Sequence, residues 1–162
     1  MKKMKFLRLL LLAAAAGAVV LGCAAKNAKT SVNDLKEMLK SHALIVAYPD
    51  GTVKIYDDKG IKPLFKHLES GDFKNCDVYD KVTGKASTLI LVYGGAASLY
   101  TGILSKEAIP VLEKYGIKYR ADKIVDYIIN VTGDDKCPME KTVTDIEDPQ
   151  QAFEILKERF GQ

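Results

Sequence analysis

The chain has 162 residues, 48% of them hydrophobic and 28% charged, with 12 Gly and 5 Pro. Those proportions fit one folded domain and exclude a disordered chain, a collagen-like repeat and a disulfide scaffold, since three cysteines are too few to frame a fold. The net charge of +3 sits at one end: Lys2, Lys3, Lys5 and Arg8 precede the first acid, Asp34. Taking those four from the 24 basic residues leaves 20 against 21 acidic ones from Cys23 onward. So balanced a domain lacks the electrostatic footprint of a nucleic-acid binder, and no nucleic-acid partner is expected.

The basic flank is followed by the apolar run Leu9–Leu21 and then by Gly22, Cys23, Ala24 and Ala25. This is the layout of an export signal, whose apolar region needs only about 7–15 residues where a spanning helix wants about 20. Val20-Leu21-Gly22-Cys23 resembles a bacterial lipobox, in which the Cys23 thiol is lipidated and Cys23 becomes the new N-terminus. The alternative is an uncleaved signal anchor, because residues 9–25 are 17 consecutive uncharged residues, at the lower limit for a span. In both cases the basic flank keeps the N-terminus cytoplasmic and sends the domain outward. The expected organisation is a signal over 1–22, a tether over 23–30 and a domain over 31–162, anchored to the membrane on the extracytoplasmic side of a bacterial envelope.

Ser31 is an N-cap for a helix over Val32–Ser41, with Val32, Leu35, Met38 and Leu39 at helical spacing. The apolar run Ala43–Tyr48, the turn Pro49-Asp50-Gly51 and the alternating Thr52–Tyr56 read as a hairpin. A helix is expected over Ile61–Ser70, then a short strand over Cys76–Tyr79. A second helix opens at Thr83-Gly84-Lys85-Ala86 and ends at Gly94-Gly95. A strand over Ala97–Thr101 leads to a helix over Lys106–Tyr115, capped by Ser105 and stopped at Gly116. Lys118–Arg120 and Val125–Asn130 are strand candidates, Cys137 begins a short helix, and Asp148-Pro149 starts a last helix over Gln150–Phe160. Strands alternating with helices imply a layered α/β domain, with a mixed sheet that begins with a hairpin and is covered by helices.

Asp80-Lys81-Val82-Thr83-Gly84-Lys85-Ala86, the later Ser105, and Cys137-Pro138-Met139-Glu140 resemble the signature blocks of a bacterial family, domain of unknown function 1893, in matching order from Val32 to Phe160. The resemblance implies a three-layer, cytidine-deaminase-like fold, in keeping with the helix–hairpin–helix–strand order. It implies no activity. Zinc deaminases set a His-x-Glu at one helix start and Pro-Cys-x-x-Cys at the next, around one metal-bound water. Here those slots hold Thr83-Gly84-Lys85 and Ile103-Leu104-Ser105-Lys106, while His42 and His67 lie upstream. No metal site and no cofactor is expected.

The residues left to carry chemistry gather at helix starts. At Thr83–Thr88 free amides, Gly84 and the cations Lys81 and Lys85 suit an anion such as a phosphate or carboxylate, although an ordinary helix start with solvated lysines explains them equally. Ser105 either completes one pocket with Gly84 and Lys85, as neighbouring helix starts do in α/β sheets, or simply caps its helix. Asp80 either accepts a hydrogen bond from a ligand or ends its strand. Cys137 is a structural helix start, a disulfide partner of Cys76, or a nucleophilic thiol, in that order. The expected ligand site is therefore Asp80, Lys81, Gly84, Lys85 and Ser105, holding a small anionic or nucleotide-like ligand. The alternatives are an envelope interaction module with no small ligand and, more weakly, a thiol enzyme using Cys137.

Overall fold

A computed structural model describes residues 30–160 apart from 59, 70 and 72. The signal, Cys23 and the tether as far as residue 29 lie outside the described residues. No helix of the described residues is long and apolar enough to cross a membrane.

Helix α1 (Val32–Ser41) starts where local chemistry demands it. The Ser31 hydroxyl accepts from the Asp34 amide at 3.2 Å while the Asp34 carboxylate accepts from the Ser31 amide at 3.1 Å, a reciprocal capping box. Strands β1 (Leu44–Ala47) and β2 (Val53–Tyr56) form the hairpin, turning at Gly51 with φ of 91°. There follow α2 (Lys62–Glu69), β3 (Asp77–Thr83), α3 (Lys85–Tyr93), β4 (Ser98–Ser105) and a 3-10 turn over Lys106–Ala108. The chain closes with α4 (Ile109–Lys114), β5 (Lys118–Val125), α5 (Pro138–Thr142) and α6 (Pro149–Phe160).

The five strands lie in the order β2-β1-β3-β4-β5. β1 runs antiparallel to both neighbours, and β3, β4 and β5 are mutually parallel. Alternation along β1 sorts the core into two. Leu44 and Val46 join the larger cluster beneath α2, α3, α4 and α6, whereas Ile45 meets Leu35 and Leu39 of α1 together with Tyr79. Leu89 and Ile90 have no exposure, and a helix apolar on nearly every side, as α3 is, belongs at the centre of such a core. The protein is thus an α/β domain with a mixed sheet covered by helices, as expected.

Three departures have physical causes. β3 continues past Tyr79 to Thr83, because parallel pairing of Asp80 with Thr101 and of Val82 with Ile103 holds polar residues that read locally as a turn. The helix expected over Lys106–Tyr115 is split into a 3-10 turn and α4, since Pro110 at the start of α4 has no N–H for a continuous ladder. The first strand candidate after Gly116 extends to become β5, whereas the second, expected over Val125–Asn130, does not form: the chain leaves the sheet at Val125.

Candidate functional site

A cavity of about 620 Å³ opens at the carboxyl end of β3. Its walls are the start of β1 (Ala43, Leu44), the approach to α2 (Asp58, Gly60, Ile61), the end of β3 (Asp80, Lys81, Val82) and the start of α3 (Gly84, Ala86, Ser87). The loop 128–132 and the start of α5, Cys137–Glu140, close the remaining side. Apolar side chains form most of this lining, with Leu44, Ile61, Leu64, Ile128 and Met139 among them. The helix starts that border the cavity are those of α2, α3 and α5. Sequence reasoning pairs the start of α3 with the one after β4 instead.

The α3 start is built around a residue that sequence reasoning names only within the block Cys137–Glu140 and gives no place in the site. Gly84 is the N-cap and has no side chain to serve the first-turn amides. Glu140, 1% exposed, serves one of them from 55 residues away: its Oε1 accepts from the Lys85 amide at 3.0 Å. Its Oε2 accepts from the Ile128 amide at 2.6 Å. A Cβ at position 84 would stand 2.7 Å from Glu140 Oε1, so Gly84 is what lets the carboxylate approach. The anion that the free amides and Gly84 call for at this helix start is, in large part, the protein's own. The one sequence signal for this is Gly84 itself, since a helix start with no capping side chain takes an acceptor from elsewhere. Glu140 also explains the lost strand after Val125: its hold on the Ile128 amide, with the Cys137 amide donating to the Ile128 carbonyl at 2.7 Å, turns this segment toward α5.

Asp80 is half-buried beside the cavity, and its carboxylate accepts from the Thr83 hydroxyl at 2.9 Å and the Val82 amide at 3.3 Å. Burial pushes its carboxyl up to about 6, against the opposing pull of those hydrogen bonds. Lys81 is exposed at the rim, its amide tied to the Ala43 carbonyl at 3.3 Å. Cys137 lines the cavity, partly exposed and without a side-chain capping bond. It forms no disulfide with Cys76, whose fully buried thiol donates to the Phe73 carbonyl at 2.8 Å. The structure therefore brings Asp80, Lys81, Gly84 and Cys137 onto one cavity.

It does not bring Lys85 or Ser105 there. The Lys85 ammonium turns away and donates to the Thr144 carbonyl at 2.6 Å, in a separate pocket bordered by Glu107, Lys114 and Glu147. Ser105 has no exposure, and its hydroxyl accepts from the Glu107 amide at 3.2 Å, capping its own 3-10 turn. Among the described residues no three His, Cys, Asp or Glu side chains are grouped to hold a metal ion. His42 faces Asp57 at 2.9 Å and His67 packs on the Tyr56 ring, both away from the cavity.

A family model for a domain of unknown function, DUF1893 (TM1506), matches residues 33–160. The chain belongs to that family. A crystal structure of a DUF1893 family protein, TM1506 from Thermotoga maritima, superposes with a TM-score of 0.69 at 24% identity, covering 80% of this chain and 92% of its own. That likeness establishes a shared DUF1893 fold. The crystal structure of a point mutant of NE0047 in complex with 8-azaguanine aligns with a TM-score of 0.36 at 11% identity, over 76% of this chain and 77% of that one. No curated protein matches the sequence.

Proposed function

We propose that this DUF1893 protein has a cytidine-deaminase-like fold and is a binding protein tethered at the bacterial membrane through Cys23. The cavity at the carboxyl end of β3 holds its ligand, a small nucleotide-like molecule. The observation that carries this reading is the cavity itself. About 620 Å³ with mostly apolar walls and a few convergent polar groups has the size and chemistry of small-molecule sites. A planar ring fits against Leu44, Ile61 and Met139, with an N–H donated to Asp80. With Glu140 on the Lys85 amide, the ligand's anionic group is left to Lys81 at the rim and to the α3 start at Ala86 and Ser87, which also line the cavity.

Native mass spectrometry of the full chain, released gently from membranes, tests the reading. A bound mass of a few hundred daltons, on the scale of a drug-sized ligand, is expected to vanish on denaturation and in Asp80→Asn, and to weaken in Lys81→Ala. Alkylation of Cys137 is expected to slow when the ligand is bound. A bare polypeptide mass, even after incubation with nucleosides and nucleotides, overturns it in favour of the envelope interaction module. Ile129 at 57% exposure and the fully exposed Val131 beside the cavity favour that second reading. Activity lost in Cys137→Ser with ligand binding intact would support the thiol enzyme instead. The tether has its own test: incorporation of labelled fatty acid, expected in the native chain and absent from Cys23→Ser.

A further inference from the structure

Strand β5 ends the sheet with an open edge. It is the outermost strand beside β4, and among the described residues no backbone bond joins residues 118–125 to any segment but β4. Over its 8 residues it therefore presents unpaired N–H and C=O groups, a template for another strand. The opposite edge, β2, has only 4 residues. Arg120 and Asp122 stand on one face of β5, two positions apart and exposed. Among the described residues neither has an ion-pair partner. The Asp122 carboxylate accepts from the Tyr100 hydroxyl through one oxygen, which orients it and leaves the other oxygen open.

We propose that β5 pairs antiparallel with β5 of a second copy of this chain, about a two-fold axis through Ala121. In antiparallel pairing, residues directly opposite either both exchange hydrogen bonds or both do not, so the axis has to pass through a residue. An axis through Ala121 sets each copy's Arg120 against the other's Asp122, and each Tyr119 against a Lys123. An axis through any other residue from 119 to 124 opposes like charges: Lys118 meets Arg120 for Tyr119, Asp122 meets Asp126 for Ile124, and Arg120, Asp122 or Lys123 meets itself for the rest. Charges on an edge ordinarily keep a second strand away; here both signs are present, and this register matches them. A contact of β5 with β5 is isologous and closes at two copies, whereas β5 on β2 is head-to-tail and leaves an edge open at each end. Residues 118–125 do not line the cavity at β3, so the pairing and the ligand stand or fall independently.

The test places a cysteine at the axis of the full chain, purified in mild detergent and oxidised with copper phenanthroline. Non-reducing gels are read against wild type, which reports any link through the native thiols. Ala121→Cys sets two thiols directly opposite, within disulfide range, and a cross-linked dimer is expected. Lys118→Cys, whose two copies stand about 20 Å apart along the strands, should not link. Added to Ala121→Cys, Arg120→Asp should lower the linked fraction about tenfold, as two attractive pairs become repulsive, and Asp122→Arg on top of it should restore the link. Lys118→Cys linking as strongly as Ala121→Cys overturns the register, and a link that ignores Arg120→Asp overturns the part given to the charges. No dimer above wild type in Ala121→Cys overturns the pairing, as does a link to a protein of another mass. Should Ala121→Cys fail to fold, sedimentation decides: two copies per particle are expected for the wild-type chain and one for Arg120→Asp, and one copy in both overturns the proposal.

Discussion

Two helix starts follow two parallel neighbours in this sheet, and they are closed in opposite ways. After β4, Ser105 closes its turn from within, a hydroxyl capping an amide two residues on, and the residue is fully buried. After β3, Gly84 brings no cap, and the Lys85 amide is served from a distant α5 by Glu140. A local cap leaves nothing for a cavity to use. A borrowed cap draws two other segments, the 128–132 loop and the start of α5, around the helix end, and the space between them and α2 is the cavity. The open start is therefore the one that makes a site.

That contrast breaks most sharply at Glu140. Glu140→Ala strands the buried Lys85 amide and the part-buried Ile128 amide, and is expected to cost about 2–4 kcal/mol in urea unfolding. Glu140→Gln, which keeps one acceptor oxygen, should lose about half as much. An unaffected urea midpoint in Glu140→Ala would remove the borrowed cap from the account. Gly84→Ala comes next, at about 2 kcal/mol, because the new methyl has to displace the carboxylate 2.7 Å away. It should also widen or distort the cavity, seen as faster alkylation of Cys137.

Asp80 gives a pH signature of intermediate size. Its folded-state value of about 6 lies above the ordinary carboxylate value of 3.8, so the folded protein holds this proton more tightly than the unfolded chain. Ionisation therefore destabilises the fold as pH rises from about 4 to about 6, and the penalty is constant above that range. Relative to wild type, Asp80→Asn should gain stability across that window, by about 1–2 kcal/mol after allowing for solvent at the cavity mouth. Thermal melts at pH 4 and pH 7 check this, and a difference of the opposite sign refutes it. The smallest effect belongs to Ser105→Ala, about 1 kcal/mol for a lost cap, with binding of the proposed ligand unchanged. Losses in Gly84→Ala and Ser105→Ala that matched in both stability and ligand binding would erase the distinction between the two starts.

Much of the fold was legible in the sequence for a local reason. The capping box at Ser31 and Asp34, the hairpin around Gly51 and the α3 span from Lys85 to Tyr93 each depend on residues a few positions apart. The extension of β3 through Asp80-Lys81-Val82 was not legible, because a partner strand decides whether polar residues pair or turn. The site was half legible. Asp80, Lys81, Gly84 and Cys137 stood out by type and spacing and do share a cavity. Lys85 sits next to Gly84 in the chain, yet its side chain points to another pocket.

The sequence by itself thus determined the order of elements, the α/β class and the family blocks, since these rest on periodicity, caps and motif order along the chain. Only the tertiary structure decided which helix starts border one cavity, that Glu140 fills the α3 start, and that Lys85 and Ser105 belong elsewhere. The physical reason is that an amide or a buried charge accepts any partner of suitable chemistry within about 3 Å. Separation along the chain says nothing about which partner that is once residues 85 and 140 are folded against each other.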